Sequence, residues 1–331
     1  MHTMHIALIY DRPETEKLGD GISRIGSHHT HVTRAIEIAL NQLGHTVTAC
    51  PADHALQERL QAIKPDMAFN LSICIHGQKQ CSYAPALLER MRLPFSGSNA
   101  TVCADAYDKA RARQIMRKQG VRVPEAILVQ NADAIRIPRS LAFPLFVKPV
   151  RGGCSKGIRQ ENLIRRKAVY SQRVRRIFQR IHEPLLVEEY IAGREFSVGV
   201  IGNDNPRFLP IAEFIHTGDA PEMSFRDYTR KMIDYTDEKV ACPPRLTTGM
   251  QQTIQTIAIQ AYRSLRCRDY ARVDIRLDAE EQPYVLEVNA LPNLLPGEST
   301  FATMARADNI SFRALIGRVV QCACGRYGIH V

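Results

Sequence analysis

The chain has 331 residues, and at about 150 residues per domain this length predicts two domains, or three small ones. Its hydrophobic share of 45% and charged share of 24% are ordinary for a globular protein and exclude a disordered, collagen-like or coiled-coil chain. Lys and Arg number 44 against 34 Asp and Glu. The net charge of +10 indicates an anionic partner, whether nucleic acid, an anionic membrane surface or a phosphate-bearing ligand.

The apolar runs and the cysteines indicate in which cellular compartment the protein resides. No apolar run approaches the roughly 20 residues that span a bilayer, so we expect no membrane partner. The first apolar stretch has no basic segment before it and ends at Asp11, so we do not expect it to act as a secretory signal peptide. The nine cysteines include no CxxC pair, and we expect them to be buried and reduced. These features predict a cytoplasmic protein.

Short apolar runs alternate with helical patterns over the first third of the chain. Strands are predicted at residues 4–10, 45–50 and 67–73, and helices at residues 32–43, 54–63 and 83–91. This alternation is typical of a parallel sheet with helices on both faces. Such sheets bind ligands beyond the carboxyl ends of their strands.

A second unit begins near Asn99 with one long helix predicted over residues 100–119. Strands are predicted at residues 126–129, 145–148 and 185–191. The segment 163–182 between the last two strands carries seven bases and no acid. A nucleic-acid footprint has this composition, but we favour a solvated helix face.

The remainder of the chain begins with strands at residues 196–201 and 208–215, followed by a helix at residues 247–265. Two segments that alternate apolar and charged residues, 271–278 and 283–289, then flank a short polar linker. They predict an antiparallel hairpin.

The hairpin carries an acidic cluster. Alternation places Arg272 and Asp274 on one face of its first strand, and Glu287 and Asn289 share one face of the second. If Asp274 lies opposite Glu287, the carboxylates are about 5 Å apart and repel by about 3 kcal/mol at an effective dielectric constant of about 20. Arg272 can neutralise them in a surface ion network, or a divalent cation such as Mg²⁺ can bind their oxygens. The turn-rich loop 291–299 that follows favours the metal site, because such loops often carry function.

A glycine-rich loop follows the strand that ends at Lys148. It contains Gly152, Gly153, Ser155 and Gly157. Backbone amides exposed by glycine, together with a hydroxyl and a nearby lysine, can bind phosphate oxygens. The loop matches neither GxxxxGK[ST] nor GxGxxG, and a mobile hairpin tip is the alternative interpretation.

Two further features have the character of nucleotide contacts. Lys109 lies within the helix of the second unit, where a solvated lysine is the alternative. Glu188 and Glu189 interrupt an apolar strand, and buried carboxylates need partners. Ribose hydroxyls or an adenine amino group would serve, and a cross-strand lysine is the alternative.

Taken in chain order, these motifs resemble the ATP-grasp superfamily and, within it, the D-alanine–D-alanine ligase-like carboxylate–amine ligases. The resemblance covers residues 69–315 and is carried by Lys148 with its glycine-rich loop, residues 187–196, residues 272–274 and residues 286–292. It implies a fold of mixed α/β and α+β class, in which an N-terminal parallel-sheet α/β domain precedes two α+β domains that clamp ATP. We expect these domains at residues 1–99, 100–187 and 188–331.

The resemblance also implies cofactors and residue roles. The cofactors are ATP and two Mg²⁺ ions, which Mn²⁺ can replace. The ATP phosphates are contacted by Lys109, Lys148, Lys231, Gly152, Gly153, Ser155 and Gly157. The adenine is framed by Glu188, Glu189, Tyr190 and Ile191, and the ribose is held by Glu195. The metal ions are bound by Asp274, Glu287 and Asn289, the last of which also contacts the cofactor. Catalysis is assigned to Arg272, Lys231 and Ser155, and substrate contacts to His76, Arg272 and Ser299.

The implied activity is an ATP-dependent ligase that joins a carboxylate to an amine, of amino acid or dipeptide type, through an acyl-phosphate. The chain departs from the family pattern at residues 10–14, at residues 78–82, at Cys154 and at Met232. Because these positions belong to the amino-acid half of the site and to its closing loop, we expect an altered amino-acid specificity.

The alternative interpretation is a non-catalytic or regulatory ATP-binding protein of the same fold. The expected partners are small amino acid or peptide substrates, with nucleic acid disfavoured, and the assembly is compatible with a homodimer.

Overall fold

The computed structural model describes residues 3–11, 24–73, 80–131, 135–137, 139–153, 157–216, 223–225 and 239–330. Within these ranges the strands form three sheets. None of the described helices is long and apolar enough to cross a membrane.

The first sheet is parallel, as the alternation of strands and helices predicts. Its order is β2-β1-β3, with β1 at His5–Tyr10, β2 at Thr46–Pro51 and β3 at Met67–Asn70. The helices that pack on it are α1 (Arg24–Gln42), α2 (Leu56–Ile63), α3 (Tyr83–Met91) and, from the far end of the chain, α9 (Phe312–Tyr327). Alternate residues of β1 supply the two faces: Ile6 and Leu8 pack with α1 and α9, whereas Ala7 and Ile9 pack with α2 and α3.

The second sheet is antiparallel and has the order β4-β7-β5-β6. Its strands are β4 (Ala126–Val129), β5 (Leu145–Pro149), β6 (Leu163–Ile164) and β7 (Leu185–Glu189). One face packs on α6 (Tyr170–Ile181) through Leu145, Val147, Leu185 and Val187. Alternation therefore directs Phe146, Lys148 and Glu188 to the opposite face.

The third sheet has the order β11-β10-β8-β12-β13, with β9 paired to β8. Its strands are β8 (Glu195–Ile201), β9 (Arg207–Phe208), β10 (Ala212–Ile215), β11 (Lys239–Ala241), β12 (Tyr270–Leu277) and β13 (Pro283–Asn289). The apolar positions of β8, β12 and β13 share a core with α5 (Lys109–Lys118) and α7 (Thr248–Ser264). The polar side chains that alternate with them along these strands lie on the opposite face of the sheet.

Two more helices complete the described α-helices: α4 (Ala100–Tyr107) precedes α5, and α8 (Thr300–Ala307) precedes α9. The long helix predicted over residues 100–119 is broken at Asp108, whose backbone is extended. The break has a long-range cause, because Asp108 forms a β-bridge with Arg151 and the Lys109 amide donates to the Val150 carbonyl at 2.9 Å. The Asp108 side chain then caps α5 by accepting from the Arg111 amide at 3.0 Å.

Two of the arginines on α6 serve the fold and are not simply solvated. Arg173 donates to the Leu163 carbonyl at 3.1 Å, and Arg180 pairs with Glu161 at 3.2 Å. The domain boundaries at residues 99 and 187 remain a prediction.

A buried ion pair ties the last helix to the middle of the chain. Asp269 is fully buried and accepts from Arg326 at 2.8 Å, from Asn203 at 3.0 Å and from the Gly97 amide at 2.7 Å. Arg326 also donates to the Phe95 carbonyl at 2.8 Å. This network connects the strand-to-helix loop before α4 with β12 and α9.

We predict that Arg326→Met lowers the free energy of unfolding by about 3 kcal/mol or more, because it leaves the Asp269 carboxylate buried without its guanidinium partner. Urea denaturation of the full chain measures the loss. Arg318→Met, at an exposed position of α9, is the control and should change the free energy by less than about 0.5 kcal/mol. Adding Asp269→Asn to Arg326→Met should recover part of the loss, and failure to recover any would contradict this interpretation.

The described cysteines are free thiols. Cys50, Cys81, Cys103, Cys267 and Cys324 are buried, as expected, whereas Cys242 and Cys322 are half-buried. Burial raises the pKa of Cys81 to about 11 and that of Cys267 to about 12, because an ionised sulfur would lose its hydration. These groups are thus neutral in the folded protein at physiological pH.

We predict that stability falls as the pH rises from about 9 towards 12. Below pH 9 the Cys267 thiol is protonated in both the folded and the unfolded protein. Above pH 9 the unfolded chain loses this proton and the folded protein keeps it. This difference favours unfolding by up to about 1.4 kcal/mol per pH unit. Urea denaturation across this range should give a shallower slope for Cys267→Ala than for the wild type. Equal slopes would show that this thiol does not contribute.

Candidate active site

A cleft of about 980 Å³, partly open to solvent, lies between the polar faces of the second and third sheets. The second sheet contributes Phe146, Lys148 and Glu188, and the third contributes Glu195, Arg272 and Asp274. Strand alternation explains why these side chains converge, since their neighbours in sequence are in the cores behind each sheet.

The two strands of the acidic hairpin pair antiparallel, as predicted, and their register brings the acidic residues together. Asp274 lies opposite Glu287, and Arg272 lies opposite Asn289. Arg272 binds Asp274 through two hydrogen bonds of 2.7 and 2.8 Å, and Ser197 donates to the same carboxylate at 2.6 Å. The Asn289 amide donates to Asp274 at 3.0 Å and to Glu287 at 3.3 Å. The first of the two open alternatives, neutralisation by Arg272, is therefore present.

The same residues also suit a hard cation. Two carboxylates and an amide oxygen are the ligands that Mg²⁺ prefers, and the oxygen and nitrogen of Asn289 exchange places by rotation about one bond. Within the described ranges no three His, Cys, Asp or Glu side chains converge on a metal position. The hairpin therefore supplies an incomplete set, which ligand oxygens would have to complete.

Lys148 and Glu188 form a buried ion pair across strands β5 and β7. Their Nζ and Oε1 atoms are 2.7 Å apart, and the two side chains are 9% and 6% exposed. The sequence left open whether a nucleotide or a cross-strand lysine satisfies Glu188, and in the structure the lysine does. Glu189, the next residue, accepts from the Ala142 amide at 2.7 Å.

The glycine-rich loop lies beside these charges. Gly152 and Gly153 line the cleft, and Lys109 at the start of α5 donates to the Gly152 carbonyl at 2.8 Å. Gly157 has a φ of +84°, and a Cβ there would lie 3.2 Å from a side-chain carbon of Ile181. Only glycine therefore lets the chain turn against α6 at the end of the loop.

One end of the cleft is aromatic. The Phe146 and Phe225 rings lie 4.8 Å apart, and the Tyr190 ring lies 6.0 Å from Phe146 and 6.4 Å from Phe225. The Tyr190 hydroxyl donates to the Ser224 carbonyl at 2.7 Å, and burial raises the pKa of this phenol. A flat heterocycle is the kind of ligand that such an apolar, ring-lined pocket accommodates.

The structure brings most of the predicted site residues together. Those that line the cleft are Lys109, Lys148, Gly152, Gly153, Glu188, Glu189, Tyr190, Ile191, Glu195, Arg272, Asp274 and Glu287. Tyr190 and Ile191 follow β7, because the strand predicted to reach residue 191 ends at Glu189. Ser299 is not among the described lining residues, and its hydroxyl caps α8 by accepting from the Ala302 amide at 3.1 Å. Ser155, Lys231 and His76 lie outside the described residues, as do Cys154 and Met232.

Seven lining residues were not assigned from the sequence: Phe146, Pro149, Ile158, Phe214, Phe225, Arg276 and Leu286. Arg276 had a signal, since it alternates with Arg272 and Asp274 on β12. Phe225 had none, because it stands in a segment without periodicity.

Comparison with known proteins identifies the family to which this chain belongs. The family model for the D-ala D-ala ligase C-terminus matches residues 115–321. The chain is 31% identical to a D-alanine–D-alanine ligase of Carboxydothermus hydrogenoformans, over 87% of this chain and 90% of that protein. It is 30% identical to the uncharacterized protein y4sG of Sinorhizobium fredii, over 89% of this chain and 88% of that one.

Solved structures show the same fold at lower identity. A D-alanine–D-alanine ligase from Bacillus anthracis complexed with ATP has a TM-score of 0.74 at 20% identity, covering 98% of this chain and 99% of that one. The VanG D-Ala:D-Ser ligase from Enterococcus faecalis has a TM-score of 0.75 at 20% identity, covering 97% and 100%. The predicted ATP-grasp fold class is thereby confirmed. The matched model, the relatives and the shared fold together show that this chain belongs to the D-alanine–D-alanine ligase family of ATP-grasp proteins.

Proposed function

We propose that this protein is an ATP-dependent ligase that joins the carboxylate of one amino acid or peptide to the amine of another through an acyl-phosphate. One observation carries the proposal: the Lys148 ion pair, the glycine-rich loop and the acidic hairpin all face a single cleft. Cations, backbone amides and carboxylates in one place are what phosphoryl transfer requires.

The cleft offers distinct positions for the parts of ATP. The ring-lined end suits adenine, and Glu195 beside it can accept hydrogen bonds from ribose hydroxyls. Lys109, Lys148 and the loop glycines lie where the phosphates would extend. Lys148 would then exchange its pairing with Glu188 for a phosphate oxygen.

The charge of the cleft supports a requirement for Mg²⁺. Among the described lining residues, Lys109, Lys148, Arg272 and Arg276 face five carboxylates, a formal net charge of −1. The overall charge of +10 is therefore not concentrated on these residues, and a polyphosphate needs further positive charge here. Asp274, Glu287 and Asn289 are the residues that would hold the ion, which supplies that charge when bound.

The chain's own groups account for the rest of the chemistry. Lys109, Lys148 and the loop amides offset the repulsion between the substrate carboxylate and the γ-phosphate that it attacks, and ADP leaves as the acyl-phosphate forms. The amine then attacks the acyl-phosphate to form a tetrahedral oxyanion, which the Arg272 guanidinium can stabilise. Phosphate leaves, the amine nitrogen loses a proton to solvent, and an amide bond remains.

The amino-acid specificity of this ligase differs, on our proposal, from that of enzymes that make D-alanyl-D-alanine. The departures at residues 10–14 and 78–82 support this, as does Asp11 at the end of β1. The Asp11 carboxylate is 5% exposed and accepts from the Ser72 hydroxyl at 2.6 Å and the Ile73 amide at 3.0 Å. It thus places a negative charge at the carboxyl edge of the first sheet, where ligands of such sheets bind.

The direct test is phosphate release from ATP and Mg²⁺ in the presence of paired D- and L-amino acids and dipeptides. We expect at least one pair to stimulate release, with an amide-bonded product of matching mass. Stimulation by D-alanine alone, as strong as by any other amino acid, would contradict the altered specificity. Absence of stimulation by every pair, with ATP still bound, would favour a regulatory ATP-binding protein.

We predict that Glu287→Gln reduces phosphate release at least about 100-fold and raises the Mg²⁺ concentration needed for half-maximal rate, since one carboxylate ligand is lost. Glu280→Gln, in the exposed turn of the same hairpin, removes an equal charge and should leave both values unchanged. If the two variants behave alike, the hairpin carboxylates do not bind the ion.

A further inference from the structure

Arg276 is a buried cation inside the cleft. Its side chain is 2% exposed, although its position on β12 alternates with the cleft-facing Arg272 and Asp274. Burying a guanidinium is costly unless hydrogen bonds and an opposite charge replace its hydration. The partners of Arg276 therefore indicate what it does.

These partners come from three separate parts of the chain. The Arg276 Nε atom lies 3.1 Å from Glu195 Oε2, and Nη1 donates to the Ile191 carbonyl at 3.0 Å. Nη2 donates to the Ser224 carbonyl. The guanidinium also lies over the Tyr190 ring, 4.8 Å from its centre. One planar group thus joins the start of β8, the segment after β7 and the segment 223–225.

These contacts hold two groups at the aromatic end of the cleft, where the nucleoside would bind: the backbone beside Phe225 and the Glu195 carboxylate. Tyr190 and Arg276 donate to the same Ser224 carbonyl, so both fix the backbone next to Phe225. Phe225 packs edge-on against Phe146 at 4.8 Å. Glu195 is held by Arg276 at one oxygen, and His216 Nε2 lies 3.2 Å from that same oxygen.

We propose that Arg276 is a positioning residue that assembles the nucleoside-binding end of the cleft. It orients the Glu195 carboxylate towards the ribose hydroxyls, and it anchors segment 223–225 so that Phe225 closes the pocket around the base. This inference rests on the proposed binding of ATP. It assigns the selectivity for ribose to Arg276, which is buried behind Glu195 and does not itself contact the ribose.

The chain contains a matched arginine in Arg194. It pairs with Glu213 at 2.7 and 2.9 Å, donates to the Arg245 carbonyl at 3.1 Å and lies 5.0 Å from the centre of the Phe196 ring. It therefore has the same kinds of partner as Arg276, although its side chain is 40% exposed and that of Arg276 only 2%. Arg194 is not among the described residues that line the cleft, so its removal should spare nucleotide binding.

The experiment measures the dissociation constants of ATP and 2′,3′-dideoxy-ATP by calorimetry in the presence of Mg²⁺, using the full chain. We expect Arg276→Met to weaken ATP about tenfold or more, because the hydrogen bonds to a mispositioned Glu195 are lost, and to weaken the dideoxy nucleotide several-fold less. The ratio of the two dissociation constants, which measures the preference for ATP over the dideoxy nucleotide, should thus approach the ratio found for Glu195→Gln. Arg194→Met should leave both constants within about twofold of the wild type.

Three results separate the possibilities. Equal weakening of both nucleotides by Arg276→Met, or an equal effect of Arg194→Met, would overturn the positioning role. If Arg276→Met does not fold, Arg276→Lys is used instead, because it keeps the charge without the planar guanidinium. This variant should still reduce the preference for ATP, and an unchanged preference would overturn the inference. Failure of the wild type to bind ATP would instead refute the proposed function.

Discussion

The pairing of β12 with β8 on one side and β13 on the other is the constraint on which the cleft depends. Because side chains alternate along a strand, Val273 and Ile275 fill the core beneath α7 while Asp274 and Arg276 face the cleft. A register shift of one residue would exchange these two sets and bury the charges in an apolar core. The extensive apolar contact behind the sheet therefore fixes where the charged groups of the site stand.

Two of the described ion pairs in the cleft involve residues to which we also assign a role in ligand binding. Lys148 with Glu188 and Arg272 with Asp274 are ion pairs, and both face the space that a nucleotide would enter. On the proposed function, binding of a phosphate group would replace one anion by another at a lysine that is already in place. Such prior organisation lowers the cost of ordering side chains when the ligand arrives.

The sequence predicted what depends on local pattern and adjacent strands. It predicted the parallel first sheet and the antiparallel hairpin, because alternation and turn residues determine these over short distances. It did not predict the helix break at Asp108, which results from pairing with a loop 43 residues away. Phe225 was missed for the same reason, since its place in the pocket depends on contacts with Phe146 and on the carbonyl that Arg276 holds.

The packing of α9 on the first sheet affects how the protein is made. The face of β1 that carries Ile6 and Leu8 is covered by α1 and by α9, and Cys324 of α9 lies 4.0 Å from the Met4 sulfur. Synthesis at about 5–20 residues per second separates these two parts of the core by roughly 15–60 s. During that interval the face of β1 that carries Ile6 and Leu8 lacks the part of its core that α9 supplies. The core of the first sheet is therefore complete only after the last described helix has been synthesised.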